Sequence, residues 1–162
     1  MTMMKAACLT SVIFAAATPV HANTVVNVAL WDKGERTLVS TKNPNLGMGM
    51  HGDMTSAVFG IKLDHTSIPS GKVTFQVTNR SNNSLHEMIV APVRSKNQIL
   101  TYVEDESRVD EDATADLGEV SELDPGKSGT LTLDLNPGKY VVYCNVPGHY
   151  MGGMWALLTV RP

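Results

Sequence analysis

Residues 140–155, YVVYCNVPGHYMGGMW, place Cys144, His149 and Met154 on one short loop between two apolar runs that read as strands. A thiolate and a thioether suit a soft or borderline ion, and imidazole suits copper as well as zinc, so the three donors together point towards copper. A zinc reading has to give up the methionine. Two imidazoles and one thiolate with a long, weak axial thioether are the donor set of a blue-copper electron-transfer site, which requires one more histidine. His86, in SLHEMIVAP, is the best supplier, because it follows the polar turn TNRSNNS and opens an apolar run, at a strand end facing the loop.

Outward from this loop the chain repeats one rhythm. Residues 23–32 (NTVVNVALWD), 57–64 (AVFGIKLD), 72–79 (KVTFQVTN), 85–92, 127–135 (KSGTLTLDL), 139–145 and 155–160 are rich in β-branched or aromatic residues. Turn signals such as Pro69-Ser70-Gly71, Asp124-Pro125-Gly126 and Asn136-Pro137-Gly138 bound them. Short strands at this spacing predict an all-β, antiparallel sandwich. Two stretches break the rhythm. Residues 42–55, which include KNPNLGMGMHGDM, carry too much Gly, Pro and Asn for a regular element. Residues 94–117 are expected to hold one short helix or a mobile loop, and their part 104–116 has seven acidic residues against the single basic Arg108.

The order of these features resembles the cupredoxins, the small single-domain type 1 copper proteins that include plastocyanin, pseudoazurin, azurin and auracyanin. The resemblance rests on the strand-borne His86, then Cys-x4-His-x4-Met through CNVPGHYMGGM, then the final strand WALLTV, and covers roughly residues 57–160. The Pro147-Gly148 turn is similar to azurin and auracyanin loops, and the five-residue step from His149 to Met154 to those of plastocyanin and pseudoazurin. The resemblance implies a Greek-key β-sandwich, and with the first strand at 23–32 a single domain over residues 23–162 is expected. It implies one type 1 copper ion held by His86, Cys144, His149 and weakly by Met154, and single-electron transfer in place of catalysis. That step also favours Met154 over Met151 as the axial donor. One departure stands out: plastocyanin and azurin usually follow the first histidine with asparagine, and here Glu87 takes that place.

Composition agrees with an ordinary folded chain, with 162 residues, 43% apolar and 18% charged. Residues 1–22 read as a cleaved secretory signal, with Lys5 at its start, a short apolar run and the small-residue site Val20-His21-Ala22. That run is too short to span a bilayer. The expected location is the periplasm, with no stable membrane insertion. Cys8 lies inside the signal and precedes most of the apolar run, which disfavours a lipid-attachment role. Cys144 is then the sole thiol of the exported protein, and an unpaired thiol in an oxidising compartment needs burial or a metal. A Cys-His nucleophile pair is the other chemical possibility, but no family signature or oxyanion loop accompanies it. The net charge of −3 argues against nucleic acid as a partner.

Two further features bear on function. Met48, Met50, His51 and Met54 form a second soft cluster that could hold Cu(I), or pack as a loop over the sandwich. The acidic run could dock a basic redox partner, since complementary charge speeds transient encounters, or be a solvated face. Expected partners are transient redox proteins, a cytochrome or a copper-handling protein. Besides electron transfer, a role in copper tolerance or delivery stays open. Some periplasmic cupredoxins with a similar methionine-containing N-terminal region are associated with tolerance.

Overall fold

The computed structural model describes residues 23–34 and 45–162. The expected signal at 1–22 and the part of the irregular stretch before residue 45 lie outside the described residues.

Alternating burial dictates the strands. In order they are β1 (Thr24–Asp32), β2 (Phe59–Leu63), β3 (Ser67–Pro69), β4 (Gly71–Asn79), β5 (His86–Val93), β6 (Tyr102–Val103), β7 (Arg108–Val109), β8 (Gly118–Leu123), β9 (Ser128–Leu135), β10 (Gly138–Tyr143) and β11 (Trp155–Arg161). Sheet one has the order β2-β1-β4-β9, and sheet two the order β3-β11-β10-β5-β8. Their facing sides form the main core, with Val26, Val28, Leu30, Val73, Phe75 and Val77 from sheet one and Met88, Val90, Tyr140, Val142, Leu158 and Val160 from sheet two. This is the expected β-sandwich.

The sheets are not purely antiparallel. β1 pairs with β4 in parallel, Thr24 opposite Val73 through Leu30 opposite Asn79, and β3 pairs in parallel with β11. Alternation reveals that a segment is a strand and which face is buried, but not the direction of its partner. A parallel pair needs a long crossover, and between β1 and β4 the chain passes through β2 and β3.

Sheet two is covered on its outer side as well, so β5 reads as a near-continuous apolar run. Ile89, Ala91, Val93, Val141 and Tyr143 form a second cluster with Met48, Leu100, Val109, Tyr150 and Met151. The two irregular stretches and the loop between β10 and β11 supply that cover. Residues 94–117 form turns and the small hairpin of β6 and β7 in place of a short helix; among the described residues the one helical segment is the 3-10 turn Met54–Ser56. Asn145 fixes the hairpin to the loop after β10, accepting from Val109 N–H at 2.7 Å and donating to Val109 O at 2.9 Å. Gly148 N–H adds a bond to Ser107 O at 2.8 Å.

Candidate metal centre

Strand parity brings the donors together. On β5 the residues facing the main core are Met88 and Val90, and His86 shares their parity; on β10 they are Tyr140 and Val142, and Cys144 follows in step. β11 faces inward through Leu158 and Val160, and Met154 keeps that phase just before the strand begins. Three inward positions at the ends of adjacent strands therefore meet at one pole. At the His86 end, β5 and β8 lose step: His86 lies opposite Leu123 and Met88 opposite Val120, so β8 carries one extra residue there. Such a bulge re-aims side chains beside functional sites.

His149 returns to the same pole on a loop of stacked turns. Its N–H donates to Val146 O at 2.9 Å, Met154 N–H to His149 O at 3.0 Å, and Cys144 N–H to Met154 O at 3.1 Å, which closes the loop on itself. Gly153 sits at φ +99°, and a Cβ there would lie 2.8 Å from the Ala57 side chain, so the last turn before Met154 requires glycine.

One ligand atom from each of His86, Cys144 and His149 falls within 4.8 Å of the others. His86 Nδ1 lies 3.2 Å from His149 Nδ1, and Cys144 Sγ lies 3.5 Å from His149 Nδ1. Metal–nitrogen and metal–sulfur bonds of about 2.0–2.3 Å put neighbouring donors roughly 3.3–3.7 Å apart. The two spacings to His149 match that range, and all three donors lie close enough together to share one borderline ion. Two imidazoles and a thiol with no carboxylate among them suit a type 1 copper ion.

Burial disfavours charge on each of the three groups. Burial pushes the Cys144 thiol up to about 12, against backbone N–H groups of Glu87 and Val146 that donate to the sulfur. Burial and then the neighbouring His86 pull His149 down to about 4. Burial also lowers His86, although Asp32 opposes it. Neutral imidazoles offer lone pairs, and metal uptake must displace the thiol proton.

Met154 is fully buried in the same core cluster as Cys144. Met151 is buried in the outer cluster, with Met48 and Tyr150. Glu87, in the place expected of an asparagine, accepts the N–H of Asn145 through Oε1 at 2.8 Å and so ties the start of β5 to the residue after the cysteine. Burial raises the Glu87 carboxyl above its usual range, the Asn145 bond lowers it, and Glu119 and Glu111 raise it further.

The second soft cluster is spread over the same end of the molecule. Met48 is buried in the outer core, and its N–H donates to the Tyr150 hydroxyl at 3.0 Å. Met50 is half-buried, His51 exposed, and Met54 44% exposed on the 3-10 turn. Trp155 Nε1–H donates to Leu46 O at 2.6 Å, and Leu46 N–H to Met151 O at 3.2 Å, which fastens the loop against the outer side of the site.

Two residues at this pole carry no signal in the sequence. Asp32, at the end of β1, has Oδ2 3.1 Å from His86 Nε2. Phe59, opposite Asp32 in the β1–β2 register, stacks on His149 with ring centroids 4.1 Å apart and meets His86 edge-on at 6.2 Å.

Residues 57–161 match the sequence profile of copper binding proteins, plastocyanin/azurin family. A 41-residue segment is 46% identical to auracyanin-B of Chloroflexus aurantiacus, covering 25% of this chain and only 17% of that protein. Among solved structures, auracyanin from Roseiflexus castenholzii superposes with a TM-score of 0.51 at 23% identity, over 87% of this chain and 98% of that one. Auracyanin B gives 0.53 at 22% identity, over 91% and 94%. Rusticyanin from Thiobacillus ferrooxidans gives 0.51 at 17% identity, over 87% and 80%. These likenesses carry the fold. Among the described residues no helix is long and apolar enough to cross a membrane.

Proposed function

The chain belongs to the plastocyanin/azurin family of copper-binding proteins, and from that premise we propose that it is an exported carrier of single electrons. In this reading His86, Cys144 and His149 hold one copper ion and Met154 is the weak axial donor. The observation that carries it is the convergence of two imidazole nitrogens and one sulfur, all buried, at the end of a packed β-sandwich. The bound ion supplies the Cu(II)/Cu(I) couple.

What the protein contributes is a stiff frame. His86 is fixed by β5 and Cys144 by β10, both central in sheet two, while the His149 loop is closed by its own backbone bonds. Donors that scarcely move between oxidation states lower the reorganisation opposing electron transfer. Burial of all three excludes water. Two N–H groups aimed at the sulfur stabilise it as an anion.

Delivery by the signal at residues 1–22 leads to the periplasm, where the partners are transient redox proteins, a cytochrome or a copper-handling protein. The test is rapid mixing of the copper-loaded protein with a reduced c-type cytochrome. One electron accepted per chain is expected; no transfer, or copper at other than one type 1 ion per chain, contradicts the reading.

A second reading adds copper tolerance or delivery through the methionine-rich loop of Met48, Met50, His51 and Met54. It is supported by the approach of two thioethers at Gly47: the sulfurs of Met50 and Met151 lie 3.2 and 3.1 Å from where a Cβ would stand. A deletion strain that loses growth in excess copper while keeping its respiratory flux favours this reading; the reverse pattern favours the carrier.

A further inference from the structure

Asp32 is an unusual neighbour for a buried histidine. Its side chain is 2% exposed and that of His86 is fully buried, and among the described residues His86 is its sole ion-pair partner. A buried anion is costly unless it is paired and hydrogen-bonded. Gly34 N–H donates to Oδ1 at 2.7 Å. With Gly34 N–H on Oδ1 and His86 Nε2 on Oδ2, the end of β1 holds an aspartate, a carboxylate at neutral pH, against the imidazole.

The chemistry of that contact is directional. An ionised carboxylate only accepts, so His86 Nε2 carries the ring proton and the Nδ1 lone pair is left facing His149 Nδ1, 3.2 Å away. A hydrogen bond at one ring nitrogen sets which nitrogen ligates and raises its basicity. We propose that Asp32 is a positioning residue: it holds His86 in the Nε2–H tautomer and, as a buried negative charge one imidazole away from the ion, biases the site towards its cupric state. The second half rests on the copper reading above; the first does not.

Two variants separate charge from hydrogen bond. Asp32→Asn keeps an oxygen that can accept from Nε2–H but removes the charge, whereas Asp32→Ala removes both. Long-range 1H–15N spectra of the metal-free protein read the tautomer directly. They are expected to show His86 protonated at Nε2 in the wild type and in Asp32→Asn, and a mixture of tautomers in Asp32→Ala. In the copper-loaded protein, Asp32→Asn is expected to keep the visible band while its preference for Cu(I) over Cu(II) rises about tenfold, or ~59 mV for one electron.

A wild-type His86 protonated at Nδ1 overturns the tautomer assignment, and an unchanged potential in Asp32→Asn overturns the charge bias. A merely structural role for Asp32 would move stability and leave both readouts alone. If Asp32→Ala does not fold, the wild type and Asp32→Asn still decide the matter. A wild type that takes up no copper fails the copper reading instead, and is told apart because a fault confined to Asp32 leaves the wild type coloured.

Discussion

The two sheets meet the metal-site pole in different ways. Sheet two carries the proposed donors, His86 from β5, Cys144 after β10 and Met154 before β11, with His149 on the loop between the last two. Sheet one contributes no donor. Its β1 and β2 end there in a register that sets Asp32 opposite Phe59, and these two residues hold the two imidazoles, one by a hydrogen bond and one by a stacked ring. The difference teaches that a ligand set and its orientation are separate structural problems, solved here by separate layers.

The sharpest way to test that division is to remove a donor. Cys144→Ser is expected to abolish the intense visible absorption entirely while the metal-free fold survives, because the substitution is small and the cysteine makes no disulfide. Absorption and circular dichroism on the same sample check both halves. A retained band would break the comparison at its root.

Removing a support should act differently. Phe59 is buried and stacked on His149, so Phe59→Ala is expected to cost about 3–5 kcal/mol of stability, read by chemical denaturation of the metal-free protein, while copper still binds. Complete loss of copper from a folded variant would make sheet one a partner in binding and no longer only in orientation.

Smaller effects separate the two methionines of the loop. Met154→Leu conserves volume, so its stability cost should stay below about 1.5 kcal/mol, yet it is expected to shift the reduction potential without loss of copper, since an axial thioether tunes more than it holds. Met151→Leu, in the outer cluster, should leave potential and spectrum unchanged. Voltammetry on the pair decides: equal potentials for Met154→Leu and the wild type would count against Met154 as the axial donor.

The smallest effect is expected from the acidic run. It supplies the turn and second strand of the β6–β7 hairpin, which is held by Asn145, the residue after Cys144, whose amide also donates to Glu111 Oε1 at 2.7 Å. Electron transfer with a basic partner should slow as salt is added, because exposed charges are screened. A rate independent of ionic strength would leave this surface as a solvated face.

How much of this was legible in the sequence follows the same division. His86, Cys144 and His149 could be found because donor chemistry and strand period are local properties, and residues two apart on a strand share a face. Asp32 and Phe59 could not, because their relation to the imidazoles depends on how two sheets stack. Strand direction escaped for the same reason: the valine-rich β1 announces itself, but its parallel pairing with β4 does not. β3, three residues ending in Pro69, is too short for a pattern, and β8 at the edge of sheet two mixes charges into its alternation. Of the two forms expected for 94–117, a short helix or a loop, the chain takes the loop, with a small hairpin in it, and Leu100 and Val109 cover the outer face of β5 and β10. Glu87 looked like a departure from the family pattern, yet its longer side chain still reaches the backbone after the cysteine.

The central claim is that one sulfur and two imidazole nitrogens share a single copper ion. Its most direct test is the visible spectrum of the purified protein titrated with Cu(II). One equivalent should develop an intense sulfur-to-copper charge-transfer band that ascorbate bleaches and reoxidation restores; a solution that stays colourless through the titration would contradict it.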